Sequence, residues 1–176
     1  MVFLETVRLN LRNLREEDAA TIYDYRNHPQ CAQYQRGQTR TLVGIQELIN
    51  DHKEDTLTLE DACFIAIEDR QIGELIGEVI VMPNERTFSL GYTVSYRYHR
   101  KGYGYEALYA LIELLHNRYP AWEFICFVDR ENTASRNLLA KLGYTDMGYL
   151  ASKTSQVYGM WTSTETDVEI AELVEK

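Results

Sequence analysis

The chain has 176 residues and a formal net charge of −9. At 45% hydrophobic and 26% charged, with only three prolines, it has the balance of a globular protein and not of a disordered one, and it is long enough to bury about two-thirds of its unfolded surface. An acidic chain repels phosphate backbones, which argues against nucleic acid as a partner and favours a cationic acceptor such as an amine.

The first periodic stretch, "TVRLNLRNL", alternates. Val7, Leu9 and Leu11 fall on one face and Arg8, Asn10 and Arg12 on the other, the period of a half-buried strand. "REEDAATIYDYRNH" opens acidic and puts Ala19, Ile22 and Tyr23 at helical spacing until Pro29 stops it. A second helix is predicted over about 41–53, where Ile45, Leu48, Ile49 and His52 recur at i, i+3, i+4 and i+7. "ACFIAIED" and "LIGEVIVM" read as strands around a turn near Arg70–Glu74, and "TFSLGYTVSY" as a third after the turn "MPNER". Residues 103–117 form the clearest helix, with Ala107, Leu108, Leu111, Ile112 and Leu115 on one stripe. "WEFICFV" is a continuous apolar run, predicted to be a strand buried on both faces. "ENTASRNLLAKLGY" reads as a short helix with Leu138, Leu139 and Leu142 inward and Gly143 as its stop. "GYLAS" and "QVYGMWTS" read as two closing strands, and 163–176 as an acidic, amphipathic tail. The order β-α-α-β-β-β-α-β-α-β-β predicts an α/β (α+β) fold, a mixed sheet with helices on its faces, over a single domain of residues 1–162 followed by the tail.

Cys31, Cys63 and Cys126 are odd in number and far apart, which suits free thiols in a reducing compartment. The start "MVFLETVRLNLR" carries a charge by position 5, and no window approaches a membrane span, so a cytoplasmic protein without membrane contact is expected. His28, His52, His99 and His116 share no ligand spacing, and no metal is expected. Cys126 lies in an apolar strand and reads as core.

"HRKGYGYEAL" is the stretch with chemistry in it. A strand, then His99-Arg100-Lys101-Gly102-Tyr103-Gly104, then a helix, is an arrangement that binds phosphate. The first N–H groups of a helix have no internal partner, its dipole is positive there, and glycines let the backbone turn and approach a ligand. The Walker loop needs Gly-Lys followed by Ser or Thr, which is absent. The looser dinucleotide fingerprint fits through Ala107. However, that fingerprint follows the first strand of a fold, and this turn follows at least four.

"GYTVSYRYHRKGYGYEAL", followed about 28 residues later by "ENTASRNLLAKLGY", resembles the GNAT superfamily of acyl-CoA N-acyltransferases, and more narrowly its RimJ/RimL-like branch. The opening "TVRLNLRNLREEDAATIYDYRNHP" and the hairpin "ACFIAIEDRQIGELIGEVIV" fit that branch, so the resemblance covers about residues 5–162. It implies a mostly antiparallel sheet with one splayed parallel strand pair and helices on both faces. It also implies that backbone N–H groups from Arg100 to Tyr105 hold the coenzyme A pyrophosphate, with His99, Lys101, Gly102, Tyr103 and Gly104 in that loop. Tyr92, Thr93 and Val94 fall where relatives pair their backbone with the pantetheine amides. Asn132 falls where relatives contact the pantetheine arm, and Ser135 where the branch places a hydroxyl near the thioester sulfur.

The expected activity is transfer of an acetyl group from acetyl-CoA to a primary amine, a protein N-terminus or a small amine, by direct attack on the thioester. The sequence departs from relatives in four places. His99 supplies no fixed charge. Tyr105 stands where many carry a hydroxyl of Thr or Ser. Ser89 and Leu90 precede Gly91-Tyr92 where many carry a Glu. Leu139 stands where many carry a tyrosine acid. Ser135 is then the expected leaving-group partner, and Glu78 the carboxylate nearest the cleft. The rival readings are a non-catalytic acyl-CoA sensor and a nucleotide-binding domain. The acceptor and the oligomeric state, a homodimer included, stay open.

Overall fold

The computed structural model describes residues 1–176. Eight strands form one sheet in the spatial order β1-β2-β3-β4-β5-β6-β8-β7. They are β1 Val2–Glu5, β2 Leu9–Arg12, β3 Cys63–Asp69, β4 Leu75–Asn84, β5 Thr87–Val94, β6 Glu123–Val128, β7 Thr145–Leu150 and β8 Ser155–Met160. Six helices join them: α1 Ala19–Asn27, α2 Pro29–Ala32, α3 Leu42–His52, α4 Tyr103–Arg118, α5 Thr133–Leu142 and α6 Thr164–Leu173.

Every neighbouring strand pair is antiparallel except β5 and β6. A parallel pair needs a crossover, and here α4 is that crossover, so β5-α4-β6 forms one unit. The pleat of β3 sorts the core. Ile65 and Ile67 pack with Leu111, Ile112 and Leu115 of α4, whereas Ala66 packs with Ile22, Tyr25, Ile45 and Ile49 of α1 and α3. Alternate residues point to opposite faces, so α1 and α3 cover one side of the sheet and α4 the other.

Four expectations need correction. β1 is an additional strand, paired with β2 at the sheet edge. In "TVRLNLRNL" the faces are not as predicted, for Val7 is 92% exposed and Arg12 is buried. Arg12 is drawn inside because Asp18 meets it with two bonds of 2.9 Å and Glu68 with one of 2.6 Å, which satisfies the buried guanidinium. β6 is not buried on both faces, since Phe127 is 43% exposed beneath the ammonium of Lys153. Finally, β7 starts at Thr145, three residues before "GYLAS".

Pro29 ends α1, as its fixed φ and missing N–H require, and it also opens α2 with His28 accepting from the Gln30 N–H. Most of the tail is a helix, α6, capped by Ser163, and the Glu175 N–H donates to the Tyr149 carbonyl of β7.

Candidate active site

The sheet opens where β5 and β6 diverge. They pair at only two rungs, Thr87 with Glu123 and Phe88 with Phe124, and then separate. Beyond that point three β5 carbonyls accept bonds from side chains instead of from the β6 backbone. Cys126 Sγ lies 3.8 Å from the Leu90 oxygen, Gln35 Nε2 3.2 Å from that of Tyr92, and His99 Nε2 2.7 Å from that of Val94. The spacing of two marks one edge of the strand, the edge that faces the gap. Thr93 falls on the other register, opposite Glu78 of β4.

The glycine turn stands at the end of this gap. Gly102 caps α4 in the left-handed region at φ 79°, and Arg100 shares that region at φ 62°. A side chain at residue 102 would be strained, which is why glycine occupies it. No backbone N–H from His99 to Tyr105 finds an acceptor in the chain; the first to do so is that of Glu106, which bonds the Gly102 carbonyl. A run of free donors at a helix N-terminus, next to a left-handed turn, has the geometry and partial charge that complement an anion.

Behind the turn, Arg8 holds it in place. Its Nη1 donates to the Lys101 carbonyl at 2.9 Å and its guanidinium lies 4.2 Å over the Tyr103 ring. Glu106 closes the clamp, accepting from Thr6 Oγ1 at 2.7 Å, the Arg8 N–H at 2.9 Å and Arg8 Nε at 2.6 Å. Partial burial pushes the Glu106 carboxyl upward, but these bonds and the Arg8 charge outweigh it and hold the group below the usual range. Arg100 and Lys101 are exposed at the rim, and Tyr105 stacks on Tyr109 beneath Lys141 of α5. The imidazole of His99 is committed to Val94 and does not project from the turn.

On the α4 side of the gap, α5 brings its first turn against β5. Asn132 caps α5 by accepting from the Ser135 N–H at 3.2 Å. Ser135 Oγ is hydrogen-bonded to the Tyr92 hydroxyl. Thus Tyr92 meets the Asn132–Ser135 opening of α5 from 40 or more residues away along the chain. Leu139 is buried in the core.

Glu78 lies on the opposite face. It is 4% exposed, and Arg26 Nε and Nη2 both donate to its Oε1, at 2.7 and 2.6 Å. Gln38 Nε2 bridges Glu78 Oε1 and Thr93 Oγ1, at 3.4 and 3.2 Å. Glu78 Oε2 and the Tyr25 hydroxyl are buried without a partner. Burial raises the pKa of Glu78, which the Arg26 charge offsets in part. The sequence carries no sign that Arg26 of α1 or Gln38 of the loop between α2 and α3 meets Glu78, because both lie far from it along the chain. Nor does it reveal Arg36, which crosses the gap to Asp129 Oδ2 at 3.0 Å and Thr154 Oγ1 at 2.8 Å. The residues contain no group of three or more His, Cys, Asp or Glu side chains able to hold a metal.

A family model described as an acetyltransferase (GNAT) domain matches residues 8–145. The chain belongs to the GNAT acetyltransferase family. The uncharacterized protein YkkB of Bacillus subtilis (strain 168) is 27% identical over 145 residues, which is 80% of this chain and 83% of that protein. An acetyltransferase of the GNAT family from Bacillus anthracis has the same fold, with a TM-score of 0.78 at 18% identity over 91% of this chain and 98% of that one. The ribosomal-protein alpha-N-acetyltransferase RimL, solved with coenzyme A, aligns with a TM-score of 0.75 at 14% identity over 91% and 97%. The splayed β5–β6 pair and the α4 crossover are therefore those of a GNAT acetyltransferase.

Proposed function

We propose that this acetyltransferase moves the acetyl group of acetyl-CoA onto a primary amine, either a protein N-terminus or a small amine, within a catalytic unit of residues 1–162. The observation that carries this reading is the run of free N–H donors from His99 to Tyr105 at the mouth of the β5–β6 gap. A diphosphate satisfies those donors and complements the α4 dipole, with Arg100 and Lys101 adding charge at the rim. The β5 edge suits an extended amide arm, because the Tyr92 and Val94 carbonyls already accept from N–H groups of side chains that such an arm can replace. RimL, of the same fold, was solved with coenzyme A bound.

In the reaction the amine nitrogen forms a bond to the thioester carbon and the C–S bond breaks, its electron pair going to sulfur. The nitrogen loses one proton and the sulfur gains one. Ser135 gives its hydroxyl proton to the leaving sulfur and recovers one from solvent. On the other face the amine's proton passes through water toward Glu78, whose Oε2 is the carboxylate oxygen left without a partner.

A thiol-release assay over N-terminal peptides, polyamines and aminoglycosides tests the activity. Amine-dependent release is expected for one of these classes, and silence across all of them, in a protein that binds coenzyme A, counts against the acceptor reading. Hydrogen exchange tests the binding mode, with coenzyme A expected to slow exchange at residues 99–105. Protection elsewhere with none in that segment overturns the assignment of the turn.

A further inference from the structure

The Tyr92 side chain does something that its backbone role does not explain. Its phenol meets Ser135 Oγ, and this is the one hydrogen bond that the phenol makes. A serine hydroxyl carries one proton and two lone pairs, and a serine in the first turn of a helix ordinarily turns that proton toward a local backbone acceptor. Burial raises the Tyr92 pKa, only partly offset by the bond to Ser135, so the phenol stays protonated near neutrality. A protonated phenol whose sole partner is Ser135 is suited to donate to it. Ser135 Oγ, receiving that bond, must point its own proton elsewhere. The Ser135 main chain cannot turn away, because its N–H is held by the Asn132 side chain at 3.2 Å.

We propose that Tyr92 is a positioning residue whose phenol aims the Ser135 hydroxyl proton into the β5–β6 gap, at the sulfur that departs. This rests on the role given to Ser135 above. Tyr92 keeps its proton throughout and no bond to it forms or breaks, so its contribution passes entirely through Ser135. β5 is placed to do this because alternate residues share a face. Tyr92 turns its side chain toward α5, and its carbonyl lies on the edge that faces the same gap.

The test is a double-mutant cycle with Tyr92→Phe and Ser135→Ala in the full chain, using acetyl-CoA and an amine that supports turnover. Tyr92→Phe keeps the ring and removes only the oxygen. It is expected to lower kcat about tenfold, the scale of one misdirected hydrogen bond, and to leave the coenzyme A Kd within about twofold. The double variant is expected to be as slow as Ser135→Ala alone. Unchanged kcat in Tyr92→Phe, with Ser135→Ala slow, overturns the positioning role and leaves that of Ser135 standing. Multiplying losses in the double variant also overturn it, since Tyr92 would then act by its own route. A Ser135→Ala protein as fast as the parent overturns the reading on which the proposal rests.

Discussion

Glu106 and Glu78 are two carboxylates with opposite surroundings. The Glu106 pKa is held below its unfolded value, so its contribution to stability is present above the ordinary carboxylate range and is lost as pH falls through the folded pKa. Glu106→Gln is therefore expected to lower the urea midpoint at pH 7 and to flatten its decline below about pH 4, read from denaturation curves between pH 3 and pH 7. Glu78 is raised by burial and depends on Arg26 for compensation. Arg26→Met leaves that charge buried and alone, at an expected cost of about 3–5 kcal/mol in chemical denaturation, of which the added change Glu78→Gln restores a large part. The ion pair is legible in the sequence only as an arginine on a helix and a glutamate on a strand, because nothing local says that a guanidinium from α1 crosses onto β4.

Among the elements, β4 and β5 are the most tightly constrained. A Cβ at Gly77 would come within 2.2 Å of the Thr93 carbonyl oxygen and 3.0 Å of the Val94 Cα, and both partners are backbone. Gly77→Ala must push β5 away from β4 at the residues that border the gap. A destabilisation of about 1–3 kcal/mol is expected, together with weakened coenzyme A binding, measured by thermal melting and calorimetry. The identities of β2 to β6 and of α1, α3, α4 and α5 are legible in apolar spacing and apolar runs, but the buried face is not always legible, since an ion pair draws Arg12 of β2 inside and β3 is buried on both faces. β1 leaves no such pattern, because four residues at a sheet edge, with Val2 and Glu5 exposed, bury too little apolar surface. The acidic pattern of the tail contains a helix, but its docking against β7 depends on a backbone bond between Glu175 and Tyr149 that leaves no trace in composition.

For the whole molecule, the segment between α2 and α3 ties the two lips of the gap together. Gln35 bonds β5, Gln38 bonds Glu78 and Thr93, and Arg36 reaches Asp129 and the β7–β8 turn. A ligand held by both lips stabilises the folded state by mass action. Coenzyme A at a hundred times its Kd is expected to add about 2.7 kcal/mol, seen as a rise in melting temperature that saturates with the ligand. Acidic residues in excess over basic ones describe the surface field, but they do not say where the positive site lies. That site is made of backbone N–H groups, which carry no formal charge and are invisible in any count of residues.

The sequence alone determined the glycine turn ahead of α4, the Asn132–Ser135 opening of α5 and the order of most elements, because these depend on local spacing, on residues that tolerate left-handed backbone and on caps within three or four positions. Tertiary structure decided which distant groups meet: the two-rung splay of β5 from β6, the phenol of Tyr92 on Ser135, Arg26 on Glu78, and Arg8 with Glu106 behind the turn. The physical reason is that each of these contacts joins residues whose separation along the chain is set by the packing of whole elements, and no periodicity in one strand or helix encodes the side chain that another will present to it.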